Sequence, residues 1–239
     1  FDFFEGDFNP DDVLGHGTTT AGALIGNYRG ESSLTVIHHK IFGPDGEATY
    51  FGALVAIYSA AEVSNIINCS WGYVDPVIPR AMECAIGYAV SQGAFVIASA
   101  GNDQANITFG FEPQWPATFS EAFEGQVYAV ASYQLADFGR DPDLDNPILS
   151  PAFSNFGQEF SVTVPVAAYL TAATPQFMGV DNAFLAGTSI SAPLITGALA
   201  TSIINFGDEG DFLARLRSTD NFNNNVLGNR FLPVCPEGD

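Results

Sequence analysis

Basic residues are scarce in this 239-residue chain: seven Lys and Arg stand against 27 Asp and Glu, a formal charge of 7 − 27 = −20. Spread from Arg29 to Arg230, the seven form no patch. Proteins neutralise nucleic-acid phosphates and anionic lipid headgroups with clustered cations, so neither nucleic acid nor a membrane surface is expected as a partner. Cysteine is equally sparse. Cys69, Cys84 and Cys235 are too few for a disulfide framework and too far apart for a zinc site of the C-x-x-C kind, and their odd number leaves at least one unpaired. No unbroken apolar run approaches the roughly 18 residues of a membrane span, the richest stretch, 184–206, being interrupted by Gly, Ser, Thr and Pro. The chain starts at Phe1 with neither an initiator Met nor a signal-peptide pattern, and an upstream segment is therefore expected. Strong acidity with little Lys suits an extracellular or high-salt setting, so a secreted location is expected.

What the chain does have is 47% apolar residues and 13% aromatics, enough for a full core in one α/β domain spanning residues 1–239. Leu34 to Ile37 reads as a buried strand, and a helix follows near Tyr50 to Val63 with Leu54, Ile57, Tyr58 and Ala61 on one face. Ile66 to Cys69 is a second strand. Ile78, Met82, Ala85, Ile86, Ala89 and Val90 mark a helix ending at Gly93, and Ala94 to Ala98 is a third strand. Such alternation predicts a mainly parallel sheet in a three-layer αβα fold, because parallel neighbours need crossover helices on the faces. Further strands are expected near Val127 to Ala131 and Phe160 to Val164, a long helix from Ser189 to about Phe206, and a short helix near Phe212 to Arg217.

Three segments carry chemistry. Gly15-His16-Gly17-Thr18 places a histidine at the opening turn of a helix, between glycines that let another backbone approach. His38 and His39 are adjacent in an expected strand, so at most one of them can face a given site. Gly187-Thr188-Ser189-Ile190-Ser191-Ala192-Pro193 puts Ser189 at a helix N-terminus, where it can serve as an N-cap or as a nucleophile with first-turn N–H groups beside the developing oxyanion. Ala98-Ser99-Ala100-Gly101-Asn102 ends a buried strand in an amide that is either a turn residue or an oxyanion donor.

Taken together and in this order, the three segments resemble the subtilisin-like serine peptidases (subtilases), and the similarity extends from about Phe1 into the tail. Asn68-Cys69-Ser70-Trp71-Gly72 is similar to the family's substrate strand, Trp115-Pro116-Ala117 to a loop whose Pro usually follows a cis bond, and Ala152-Phe153-Ser154-Asn155-Phe156-Gly157 to the family's Ser-rich segment before the last strands. The resemblance implies a polypeptide substrate and acyl transfer. It likewise implies that His16 is the general base, Ser189 the nucleophile and Asn102 the oxyanion donor, with substrate extended between Ser70-Trp71-Gly72 and Ser99-Ala100-Gly101.

The pattern is also incomplete. Subtilases carry a catalytic Asp on a strand some thirty or more positions before the His, whereas only 15 residues precede His16 here. Asp2 and Asp7 stand too near His16 in sequence to lie on a separate strand. A missing N-terminal segment bearing the Asp is therefore expected as a partner. Without it, a catalytically lapsed binding or structural scaffold is an alternative, and a peptide cyclase or transferase using the same Ser and His is another. No cofactor is required for the chemistry, although the resemblance leaves a structural calcium open. Asp141-Pro142-Asp143-Leu144-Asp145 lacks the Gly and Glu of an EF-hand and reads, with the four Asp between Asp2 and Asp12, as a solvated acidic loop.

Overall fold

A computed structural model describes residues 1–135, 148–149, 153–157, 162–165, 169–171, 183–185, 187–210, 212, 217–218 and 230–231. In chain order the elements are α1 (His16–Asn27), α2 (Tyr50–Ala61), β1 (Ile66–Cys69), β2 (Tyr73–Val74), α3 (Arg80–Ser91), β3 (Phe95–Ser99), β4 (Gln114–Trp115), a 3₁₀ turn (Ala117–Glu121), β5 (Val127–Leu135), β6 (Ile148–Leu149), β7 (Val162–Pro165), β8 (Tyr169–Thr171), β9 (Ala183–Leu185), α4 (Thr188–Phe206), β10 (Arg217–Ser218) and β11 (Arg230–Phe231). The main sheet runs β1-β3-β5-β7-β11-β10, parallel from β1 to β11 with β10 antiparallel at the end.

Alternation along the strands divides the core into two layers, as a sheet buried on both faces requires. Val96 and Ala98 of β3, with Val127, Ala129 and Ala131 of β5, face α2 and α3 and meet Ile57, Met82, Ala85 and Ile86. Ile97, Tyr128 and Val130 face the other way onto Ala192, Ile195 and Leu199 of α4. The fold is thus the expected three-layer α/β arrangement. Helix α4 has the length of a bilayer span and, over an 18-residue stretch, a mean hydropathy of 1.4, but 72% of that stretch is buried inside the protein. It is apolar because the sheet and α1 surround it. Gly197 permits this packing: a Cβ there would come 2.6 Å from the carbonyl oxygen of Leu24, so α1 lies directly against α4.

Two expected elements need correction. Leu34 to Ile37 is half-exposed coil rather than a buried strand, because no strand lies beside it to complete a ladder among the described residues. Arg217 belongs to β10, not to a helix, and most of the short helix expected near Phe212 falls outside the described residues. So do Cys235 and the acidic run 141–145.

Between the 33–44 segment and β1 lies a cavity of about 1030 Å³, bounded also by α1, α2 and the outer turns of α4. β1 is the last strand on this side of the sheet, so its outer edge faces the cavity. The first residues of the chain enter the same region in a parallel ladder with Lys40. Phe3 N–H donates to Lys40 O at 2.7 Å, Lys40 N–H donates to Phe1 O at 3.1 Å, and the Phe1 ammonium group donates to His38 O at 3.2 Å.

Candidate active site

Ser70 and Asn102 lie just beyond the carboxyl ends of the neighbouring strands β1 and β3, the edge at which open α/β sheets receive ligands. Ser189 reaches this edge from the first turn of α4. Pro193 has no N–H to give to the carbonyl four residues back, which is that of Ser189. This carbonyl instead accepts the Ser70 hydroxyl at 2.8 Å, while the Ser189 hydroxyl donates to Ser70 O at 3.1 Å. Behind them Thr196 Oγ1 donates to Asn68 Oδ1 at 3.0 Å and Asn68 Nδ2 to Ser70 Oγ at 2.9 Å, so β1 and α4 are tied at the level of the nucleophile.

Asn102 is oriented by the residue before Ser189. Its Oδ1 accepts both Thr188 N–H at 3.0 Å and Thr188 Oγ1–H at 3.2 Å, and Thr188 Oγ1 in turn accepts Gly101 N–H at 3.0 Å. With the carbonyl end of the amide occupied, its N–H₂ end is without a hydrogen bond among the described residues and is available to an oxyanion. The loop carrying Asn102 is clamped from below by buried Asn155, which donates to Ala100 O at 2.8 Å and accepts from Asp103 N–H at 2.7 Å and Ala105 N–H at 3.0 Å.

His16 opens α1 and lines the same cavity as Asn68, Ser70 and Trp71. Its imidazole makes no hydrogen bond among the described residues, and the Ser189 hydroxyl points to Ser70 O rather than to it. Asp12 holds the helix start, its two oxygens accepting Gly15 N–H at 2.8 Å and Thr18 N–H at 2.6 Å. Burial pushes the His16 imidazole below its ordinary 6.5, and the nearby Asp12 carboxylate only partly offsets this. The folded chain thus binds fewer protons than the unfolded one in the window just below 6.5. Its His16-linked stability is complete above that window and declines as pH falls through it. An NMR titration assigned with a His16→Gln variant should place the midpoint below 6.5; a midpoint at or above it would contradict the half-buried placement of the ring.

Asp2, unlike the loop residue expected from sequence, is fully buried. Burial raises its pKa, but hydrogen bonds from Lys40 at 2.6 Å and from the Glu5 and Phe4 amides outweigh this and hold the carboxyl below its usual range. It is therefore committed to Lys40 and the chain start, not to His16. Burial pushes the Cys69 thiol up to about 12, which makes it an inert core group, while Cys84 is exposed on α3.

The expected substrate strands are not equivalent. Ser99 and Ala100 are buried beneath the surface, and the main-chain groups of Ala100 and Gly101 are already bonded to Val130, Thr188 and Asn155. That segment supports the cleft wall and offers no free ladder at Ala100 or Gly101. On the other side Trp71 is half-buried and Gly72 exposed. The positioning roles of Thr188, Asn155, Asp12 and Gln114 were missed at the sequence level. Of these, only Asp12, three residues before the Gly-His-Gly turn, carried a local sign, that of a helix cap.

The fold and this arrangement of Ser, Asn and His motifs define a subtilisin-like α/β protein. The sequence profile of the subtilase family matches residues 5–208, and the chain belongs to that family. It is 28% identical over 209 residues to the thermophilic serine proteinase of Bacillus sp. (strain AK1), covering 84% of this chain and 45% of the relative. It is 29% identical over 220 residues to the major intracellular serine protease of Bacillus subtilis (strain 168), covering 88% and 61%, and 28% identical over 206 residues to thermitase of Thermoactinomyces vulgaris, covering 82% and 64%. The chain thus spans 45–64% of the length of these three relatives. Among solved structures, a cold adapted subtilisin-like serine proteinase superposes with a TM-score of 0.74 at 18% identity, covering 99% of this chain and 81% of the other. A lanthipeptide protease does so with a TM-score of 0.63 at 22% identity, covering 85% and 65%. The Trp115-Pro116 bond is cis, as the resemblance implied.

Proposed function

We propose that the protein is a serine endopeptidase acting on polypeptides by acyl transfer. The observation that supports this reading is the Thr188 clamp, which occupies the carbonyl oxygen of the Asn102 amide and leaves its donors unpaired among the described residues, near the edge of the sheet to which α4 brings the Ser189 hydroxyl. His16 takes the proton of Ser189 as the hydroxyl attacks the peptide carbonyl, and returns it to the leaving amine; water then resolves the acyl-enzyme. For this, the Ser189 hydroxyl turns from Ser70 O to the imidazole. Labelling of Ser189 by a fluorophosphonate in the full protein, with mass spectrometry of the peptide products, tests the proposal. Hydrolysed products support it, whereas aminolysed or cyclic products indicate a transferase and absence of labelling a lapsed scaffold.

The carboxylate that orients His16 is proposed to arrive on an additional strand, continuous with Phe1 or nicked and still bound. The cavity beside β1 and the parallel ladder of Phe1 to Phe3 on Lys40 support this. Continued backward, that ladder runs along residues 34–37 and opposite the open edge of β1. An Asp on this strand meets the ring nitrogen of His16 remote from Ser189.

The chemistry needs no cofactor. The carboxylate oxygens of Asp2, Glu5 and Asp7 lie within 4.8 Å of one another, but the charge of Asp2 is already met by Lys40 at 2.6 Å. A chelator is expected to leave the melting temperature unchanged, and a clear fall in a thermal scan with EDTA would establish a structural calcium. Extreme acidity supports a secreted location, to be checked by fractionating the source cells, since one relative is an intracellular protease.

A further inference from the structure

We propose that Gln114 selects the substrate side chain that precedes the scissile bond, favouring a neutral group able to hydrogen-bond, such as Asn or Gln, over a large apolar one. The inference rests on the peptidase reading and names the substrate class of that site. Gln114 begins β4, whose antiparallel pairing with β2 sets it opposite Val74 and beside Gly72. A Cβ on Gly72 would collide with Gln114 Nε2 and come 2.9 Å from Trp115 O, and one on Gly101 would come 3.3 Å from Gln114 Cδ. The amide therefore lies against both glycines, one on each side of the cleft, in the room their side chains would take.

The backbone around it is firmly held. Gln114 N–H donates to Thr118 Oγ1 at 2.9 Å, Thr118 Oγ1 donates to Ile107 O at 2.9 Å, and Trp115 Nε1–H donates to Asp75 O at 2.9 Å. The side-chain amide is treated differently. Gln114 is 7% exposed, yet its amide makes no hydrogen bond among the described residues. The amide end of this otherwise buried residue keeps contact with solvent, and its unused donor and acceptor favour a partner that supplies both; a site of that kind rejects analogues lacking the matching group. The amide is uncharged, and the net charge of −20 disfavours acidic side chains.

The test is a series of peptide substrates in the full protein that differ only at the residue before the cleaved bond. Asn or Gln should give kcat/KM at least about tenfold above Phe and Leu, a difference of about 1.4 kcal/mol. Gln114→Leu should reverse the order, and Gln114→Glu, of nearly the same size, should move the preference toward Lys and Arg. Fluorophosphonate labelling of Ser189 in each variant shows that its site has folded. Wild-type preference for Phe or Leu, or an unchanged profile in the labelled variants, overturns the role of Gln114 and leaves the peptidase reading standing. Absence of both labelling and cleavage in the wild-type protein overturns both.

Discussion

Ser189→Ala should end covalent labelling by fluorophosphonates and lower peptide cleavage by a factor on the order of 10⁶, the size of effect found when the nucleophile of such a triad is removed. It should do so while leaving the fold intact. The hydroxyl gives one hydrogen bond, to Ser70 O, on a half-buried residue, and a bond of that kind contributes about 0.5–1.5 kcal/mol net. The reciprocal bond from the Ser70 hydroxyl runs to the Ser189 carbonyl and survives the substitution. Thermal unfolding should therefore shift by no more than about 6 °C, at roughly 2–4 °C per kcal/mol for a domain of this size. A fully active Ser189→Ala protein would overturn the assignment of the nucleophile, and a collapse in melting temperature would make Ser189 a structural residue instead.

The second large effect concerns the strand proposed beside β1. Replacing its Asp by Asn should cost about 10⁴ in kcat, because no other group among the described residues hydrogen-bonds the His16 imidazole to fix its tautomer. Removing the strand altogether should also destabilise the fold. If at least four backbone groups along β1 and residues 34–37 lose partners, at about 1–3 kcal/mol each when buried, the loss is no less than about 4 kcal/mol, or roughly 8–16 °C in melting temperature. Intact mass spectrometry of active material under denaturing conditions, with N-terminal sequencing, should reveal polypeptide beyond the 25.4 kDa of residues 1–239. A single species of that mass beginning at Phe1 and still cleaving peptides would overturn the proposal. It would also force a carboxylate of this chain into the orienting role, although Asp2 is held by Lys40 and Asp12 by the start of α1.

The contrast between β1 and residues 34–37 shows where sequence reading stops. Both segments are short and largely apolar, and periodicity treats them alike. Ile66–Cys69 forms a strand because β3 pairs with it at every position, whereas Leu34 to Ile37 has no pairing strand among the described residues and is coil. Strand identity is a property of the pair, so it is invisible in either segment alone. The helices were easier to read, since their hydrogen bonds are local, and α2, α3 and α4 start and end within about two residues of their apolar patterns. Ser189 and His16 could be proposed from sequence because each stands in a contiguous run of small residues and glycine. Gln114 could not, because its significance comes from Gly72 and Gly101, which are distant in sequence and brought to it only by the β2–β4 pairing and the end of β3. Nor could Asn155, whose three side-chain bonds reach back some fifty residues.

The central position of α4 has a consequence for biosynthesis. It begins at residue 188, long after β1, β3 and β5 have been made, yet it covers the face of the sheet formed by Ile97, Tyr128 and Val130. As the chain leaves the ribosome from its N-terminus, that face stays uncovered until about four-fifths of the 239 residues have been synthesised. Contacts between segments so far apart close late, and exposed apolar sheet in the interval invites aggregation. Nascent chains stalled before residue 188 should be bound by general chaperones and degraded readily by added protease, and resistance should appear only once Phe206 has cleared the exit tunnel.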